Sequence, residues 1–386
     1  MQSIIIEYYS WIVAIISIYF LIFALTNAFW LWVYSKKPHD FDGEKVSVCV
    51  PARNEEKNIE GCIRSLMEQS YKNYEVLVLN DNSEDRTGEI LESLAKEFPA
   101  KLRIFNGKPL EKGWTGKIFA MNQLIQETRG EYLLFTDADT IHKTDSIAFA
   151  MTNMKVHKAD MLSGYIKEKV VTFGERITIP LIFMLTGFVL PMFLNRVTPF
   201  PFTSVAIGQY IMIKKKVFEA VGGYESMKTL ISEDVFLARL IKKHGYKTIF
   251  TDCKRAAQCR MYAGYTESVN GITKNIFSFL SNNSVVILSA IIGVSLFLLL
   301  PFPLFIGALV SNIMVGGWIT TTTVLLGINV LVMFIVWVLV SGSQHLPFST
   351  PFLYPILFGN LVYMASLSYV RTITGKGYVW KGRVVH

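Results

Sequence analysis

Cysteine is scarce in this chain of 386 residues, and the four present, Cys49, Cys62, Cys253 and Cys259, fall in no CxxC or Cys/His ligand spacing. That pattern argues against a zinc site and fits a reducing compartment, with the thiols acting as packing residues. A GxxxxGK[ST] loop is also missing, so phosphate is not held in the P-loop manner. The net charge of +8 comes without a basic and aromatic nucleic-acid motif. It suits anionic lipid headgroups or phosphates, and nucleic acid is not expected as a partner. Charged residues make up only 18% of the chain, against 51% hydrophobic residues and a mean hydropathy of +0.36. Such a balance, with the apolar residues gathered into long blocks, points to membrane segments.

Residues 11–34 contain no charge and would extend about 36 Å as a helix, enough to cross a bilayer. The only charge upstream is Glu7, where a secretory signal would be basic, which predicts an uncleaved anchor over residues 1–38. Further uncharged runs cover 284–310, 318–340 and 351–369, the first interrupted by Pro301 and Pro303. Lys36 and Lys37 follow the anchor and nothing basic precedes it, so the polar segment 39–283 is expected in the cytoplasm. Three passes after that segment would export the tail 371–386, yet Arg371, Lys376, Lys381 and Arg383 favour the inside. The region 284–370 is assigned two to three passes, and the chain is read as an integral protein of the cell membrane.

The polar segment alternates short apolar runs with helical patterns. Residues 46–50, 75–79, 102–105 and 132–135 read as strands in the βαβ rhythm of a mostly parallel sheet. Ligands of such sheets bind beyond the carboxyl ends of the strands. There the chain places Pro51-Ala52-Arg53-Asn54-Glu55-Glu56, then Asn80-Asp81-Asn82-Ser83-Glu84-Asp85. Helix capping by Asn54 or Ser83 is the plain alternative. After the fourth strand comes Thr136-Asp137-Ala138-Asp139, whose two carboxylates repel unless a cation joins them; Mg²⁺ binds through one or two carboxylates plus a diphosphate. Gly113-Trp114-Thr115-Gly116-Lys117 puts flexible glycines and a cation at a helix start, a phosphate-binding arrangement or a solvated turn. Gly208-Gln209-Tyr210 opens another apolar run, and Ser232-Glu233-Asp234 begins a helix over 235–243. Those acids favour a helix N-terminus, and one of them is the best placed carboxylate base in the second half of the chain.

The ordered set Pro51-Ala52-Arg53-Asn54-Glu55, Asp81, Asp137-Ala138-Asp139 and Ser232-Glu233-Asp234 resembles the motifs of family 2 inverting glycosyltransferases with the GT-A fold, over about 46–262. Gly113-Trp114-Thr115-Gly116-Lys117 and the terminal Trp380-Lys381-Gly382-Arg383 are most similar to the membrane-bound branch containing carotenoid, hopanoid-associated and ceramide glycosyltransferases. The resemblance implies a GT-A-like α/β fold, a mostly parallel mixed sheet flanked by helices, with transmembrane helices at both ends. It implies that Pro51, Arg53, Glu55 and Asp81 line the base and ribose site, with Lys117 near the donor. It also implies that Asp137 and Asp139 hold Mg²⁺ or Mn²⁺ on the donor diphosphate and that Asp234 is the general base. Gln209, Glu233, Arg260 and Tyr262 are the candidates on the acceptor side.

Processive polysaccharide synthases of that family carry Gln-x-x-Arg-Trp, whereas this chain reads Gln258-Cys259-Arg260-Met261-Tyr262. The departure favours transfer of a single sugar, and the resemblance implies a UDP-linked donor. An apolar stretch at about 177–202 lies between the Asp-Ala-Asp motif and Asp234. A crossing there would separate the two across the membrane, so the stretch is expected to lie in the interface or re-enter. Beside the acceptor side, it makes a lipid hydroxyl the expected acceptor. The alternatives are a polysaccharide or polyprenyl-phosphate sugar synthase, or, outside enzymes, a transporter or silent scaffold.

Overall fold

The computed structural model describes residues 2–39, 43–187, 191–230, 232–280, 283–316, 318–375, 377–380 and 383–385. The polar segment folds around strands β1 (Val46–Ala52), β2 (Tyr74–Asn80), β3 (Leu102–Asn106), β4 (Tyr132–Phe135), β5 (Thr140–His142), β6 (Met161–Tyr165), β7 (Lys167–Glu168), β8 (Ile211–Lys214), β9 (Thr248–Asp252) and β10 (Ala257–Cys259). Seven of them form one sheet in the order β3-β2-β1-β4-β8-β6-β9. β8 alone runs against its neighbours β4 and β6; the other pairings are parallel. β1 and β2 are buried on both faces, which is why they read as unbroken apolar runs. The four strands expected from sequence are β1 to β4, each within two residues of its expected ends.

The carboxyl ends of β1, β2, β4 and β6 share one edge, where β8 begins. A small second sheet, β5-β10-β7, crosses beneath that edge and brings the chain after Asp139 next to Cys259 and Glu168.

Among the described residues, four helices are long and apolar enough to cross a membrane: Ile4–Tyr34, Ser284–Val315, Thr321–Gln344 and Thr350–Ile373. In the second of these, Pro301 lacks an N–H and crowds the preceding turn. There the bonding shifts register, and Leu300 N–H donates to Ser295 O at 2.9 Å. Helices Ile4–Tyr34 and Thr321–Gln344 run parallel. Asn329 donates to Val13 O at 2.9 Å toward one end, and Leu31 and Gln344 line one crevice at the other.

The last helix follows Thr321–Gln344 in the same direction, with Phe352 against Phe334 and Phe358 against Trp337. Beyond them it is tied to the domain. Asn360 accepts from Tyr265 Oη and donates to Ile177 O, both at 2.9 Å. Ser368 donates to Thr273 O at 2.7 Å, and Arg371 to Asn270 Oδ1 at 3.2 Å. The ends at Gln344 and Arg371 both face the domain. Lys376, Lys381 and Gly382 lie outside the described residues.

The apolar stretch 177–202 breaks into short helices, Pro180–Gly187 and Leu194–Val197 among them. A helix of eight residues rises only about 12 Å and cannot cross a bilayer. Ile177, Ile179, Leu181 and Phe183 are buried in one apolar cluster with Leu31, Trp337 and Phe358, so this stretch is the seam between domain and helices. Asn27 Oδ1 accepts the Met192 N–H there at 2.8 Å. Residues 188–190 lie outside the described ones.

Candidate active site

The turns after β1 and β2 are laced to one another. Arg53 donates to the carbonyls of Asp81 and Asn82 at 2.7 and 2.8 Å. The Asn54 N–H donates to Ser83 Oγ at 3.1 Å, and the Glu84 N–H returns to Asn54 Oδ1 at 2.9 Å. Glu55 N–H donates to Thr87 Oγ1 at 2.8 Å, while the Glu55 carboxylate accepts from Asn58 at 3.0 Å. Asn54 and Ser83 thus serve each other's turn; neither caps its own helix, those positions being Asn58 and Arg86. Asn54 and Asn82 adopt left-handed φ of 52° and 53°, which asparagine tolerates better than most residues. Asp81 is buried at the foot of this double turn.

Asp137 lies two residues past β4, in a cleft also lined by Pro51, Lys117, Gly208, Glu233 and Asp234. Lys117, in the first turn of helix Gly116–Gln126, reaches Asp137 Oδ1 at 2.7 Å and Glu233 Oε1 at 3.2 Å. Burial works against its ammonium, but Asp137, Glu233 and Asp234 outweigh that and push its pKa well above the usual lysine value. A Cβ on residue 208 would stand 3.2 Å from Lys117 Nζ, the far end of a flexible side chain, and 3.5 Å from Asp234 Oδ2, so this glycine lies against both.

Asp234 sits in the first turn of helix Glu233–Lys243, whose acidic start and basic end both suit the helix dipole. Its Oδ2 accepts from Gly208 N–H and its Oδ1 from Val235 N–H, each at 2.8 Å. Burial, then the Glu233 charge, push the carboxyl up to about 6, against the pull of Lys117 and the two N–H donors. Ser232 makes no capping bond with its side chain. The far end of the helix is pinned by buried Lys242, which donates to Thr203 Oγ1 at 2.7 Å and Asn195 Oδ1 at 3.2 Å.

Asp139 faces the small sheet. Glu168, at the end of β7, is buried, and burial followed by the Asp139 charge pushes its carboxyl up to about 8. Gln209 stands beside Glu168, but Glu168 Oε2 and both polar ends of the Gln209 side chain are buried without closing a hydrogen bond. Glu168 follows a strand end as Asp81 and Asp137 do; reading β6 as a strand would have singled it out from sequence. His142, buried and held neutral with its pKa down to about 3, bridges Thr136 Oγ1 and Ser146 Oγ at 3.0 Å each and fixes the turn that carries both aspartates. No motif announced it.

All four cysteines are buried and unpaired, and Cys62 Sγ donates to Asp137 O at 3.7 Å. Of the acceptor-side candidates, Tyr262 is buried close enough to Glu168 and Asp139 for their charge, after burial, to raise its hydroxyl pKa. Arg260 points elsewhere, to Glu175 at 2.8 Å. Glu175 also accepts from Val171 N–H, Thr172 Oγ1 and Gly264 N–H; burial opposes its charge, yet these donors hold the carboxyl down to about 2.

Among the described residues no three His, Cys, Asp or Glu side chains form a ready metal cage. Asp137 and Asp139 offer hard oxygens in a pocket of surplus negative charge, the donor set suited to a cation that completes its shell with diphosphate oxygens and water.

Residues 47–222 match the family described as Glycosyl transferase family 2. A beta-monoglucosyldiacylglycerol synthase of Trichormus variabilis is 39% identical over 104 residues, 26% of this chain and 22% of that protein. A 4,4'-diaponeurosporenoate glycosyltransferase of Staphylococcus haemolyticus is 34% identical over 117 residues, 30% of each chain. The matched stretch thus spans less than a third of either curated relative. A mannosyltransferase of Pyrobaculum calidifontis, solved in complex with GDP-Man and Mn²⁺, shares the fold at a TM-score of 0.55 and 16% identity, over 95% of this chain and 99% of that one. The architecture is GT-A-like, as expected from the motifs.

Proposed function

With residues 47–222 forming a family 2 glycosyltransferase domain, we propose that this protein transfers a single sugar from a nucleotide-sugar donor, UDP-linked, to the hydroxyl of a lipid. The observation that carries this reading is Asp234, a carboxylate with a raised pKa held beside Lys117 and Asp137 at the ligand edge of the sheet. The acceptor oxygen attacks the anomeric carbon opposite the diphosphate, whose bond to that carbon breaks with its electron pair. The hydroxyl proton passes to Asp234, and the anomeric configuration inverts.

Pro51, Arg53, Glu55 and Asp81, on the laced turns, cradle the base and ribose. Asp137 and Asp139 are the residues to hold Mg²⁺ or Mn²⁺, which when bound supplies positive charge for the departing diphosphate. Lys117, already neutralising Asp137 and Glu233, is placed to turn toward the donor phosphates. Gln209, Glu168 and Tyr262 have polar groups directed at the Asp139 side and are assigned to sugar or acceptor hydroxyls; Arg260, committed to Glu175, is assigned a structural part.

Lys36, Lys37 and Arg371 all lie on the domain side of the helices, which supports a cytoplasmic domain. Two full crossings after the domain satisfy that arrangement, made by Ser284–Val315 and Thr321–Gln344. In this reading the last helix enters from the domain side and returns, in keeping with a basic tail on the inside.

The lipid acceptor draws on two relatives whose names specify lipid-like acceptors, and on the apolar seam beside the site. Membranes holding the protein, incubated with labelled nucleotide sugars, Mg²⁺ or Mn²⁺ and extracted lipids, should yield a new glycolipid by mass analysis, lost on chelation and in Asp139→Asn. Transfer only to water or to a growing polymer would reject the lipid acceptor.

A further inference from the structure

A second crevice, open on one side, lies where the helices meet the domain. Its walls are Ala24, Ala28 and Leu31 from the first helix, Leu339 and Val340 from Thr321–Gln344, and Tyr165, Phe183 and Met192 from the domain side. The lining is mostly apolar, and two of its walls are helices of membrane length. Of the polar groups that also line it, Asn27 Oδ1 accepts the Met192 N–H and Ser343 Oγ donates to Val340 O, whereas the Gln344 side chain, 3% exposed, has an Oε1 with no hydrogen-bond partner. A carboxamide oxygen left bare in apolar surroundings is costly, and a ligand with a polar group at the head of an apolar chain would satisfy it.

The crevice adjoins the reacting edge of the sheet. Phe135, Ile211 and Ser163 lie in register across β4, β8 and β6. Two strand spacings therefore put Ser163 about 10 Å from Phe135. Asp137 and Tyr165 each lie two residues further on, at the same edge. Ser163 and Tyr165 share a face of β6, and Ser163 Oγ accepts from Ile207 N–H at 2.9 Å, next to the Gly208 that holds Asp234. The crevice wall and the proposed base are thus over one face, separated by about the reach of a lipid headgroup.

We propose that this crevice seats a hydrocarbon chain of the acceptor lipid, with the Gln344 carboxamide on the polar group at the head of the chain. It rests on the lipid-acceptor reading above and adds where the lipid is held. A chain so placed stays in the membrane while its hydroxyl reaches Asp234.

The test uses the full-length protein in phosphatidylcholine vesicles carrying a diacylglycerol with a photoactivatable diazirine in one acyl chain. Cross-links should fall on residues 24–31 and 339–344, and drop about tenfold in Ala28→Trp, the scale set by blocking a fitted apolar pocket. Gln344→Leu, which preserves the apolar wall, should lower them severalfold, whereas Ile22→Trp, on an exposed face of the same helix, should not. Equal labelling in the wild type, Ala28→Trp and Gln344→Leu, or labels confined to outward faces, would overturn the crevice while leaving lipid glycosylation intact. Labelling as expected, with no lipid of the extract glycosylated by the wild type, would instead overturn the acceptor reading beneath it.

Discussion

The Gly208 N–H donates to Asp234 Oδ2 at 2.8 Å, joining the start of β8 to the helix that carries the proposed base. The bond fixes the carboxylate at the edge where β4 delivers Asp137. Asp234→Asn can still accept that N–H but cannot take a proton. Transfer should fall by about 10²–10⁴ while nucleotide-sugar binding is retained. Purified Asp234→Asn turning over at the wild-type rate would remove Asp234 from the mechanism.

A carboxyl raised to about 6 is charged, and able to act as base, only above that pH. The kcat/KM should therefore decline as pH drops below 6, by about tenfold per unit. Glu233 pushes this pKa up, so Glu233→Gln should move the acid limb to lower pH. Lys117 holds it down, so Lys117→Met should move the limb to higher pH. A pH–rate profile whose limb stays put in both variants would assign it to another group.

Arg260 and its partner Glu175 separate a structural role from a catalytic one. Arg260→Ala leaves the buried Glu175 carboxylate short of one donor, and thermal unfolding should show a loss of about 1–3 kcal/mol. With Arg260 removed the Glu175 pKa rises toward its unfolded value. The stability that this group contributes above its unfolded pKa is then lost at a higher pH as the solution is acidified. The KM for the nucleotide sugar should stay within about twofold, since a group on the diphosphate would change it by tenfold or more. A large rise in that KM would return Arg260 to the donor site.

Gly164 is set by close approach of two chains, not by backbone angle. A Cβ there would lie 1.9 Å from Thr251 O and 2.7 Å from Cys253 Sγ. Backbone cannot yield as a flexible side chain can, so Gly164→Ala should cost about 1–3 kcal/mol or more, measured as a fall in Tm. An unchanged Tm would mean that β6 and β9 are spaced differently.

Much of the fold was legible because its signals are local. The apolar runs β1, β2 and β4, each with acids just past its end, and the uncharged helices are patterns complete within a few residues. The same locality hid β6, and with it Glu168, because Met161–Tyr165 contains serine and glycine and offers no unbroken apolar run. Arg260 was read from its place in a motif, whereas its contact with Glu175 depends on a chain segment far away in sequence.

By itself, then, the sequence determined the α/β rhythm, the membrane-length segments and the acidic residues at the strand ends, since hydrophobic period and turn chemistry are short-range properties. Only the tertiary structure decided which of those acids meet, with Lys117 between Asp137 and Glu233 and Gly208 holding Asp234. It likewise decided that Asn360 and Arg371 bring the last helix back to the domain. Such contacts depend on where packing brings distant segments, and no local pattern encodes that.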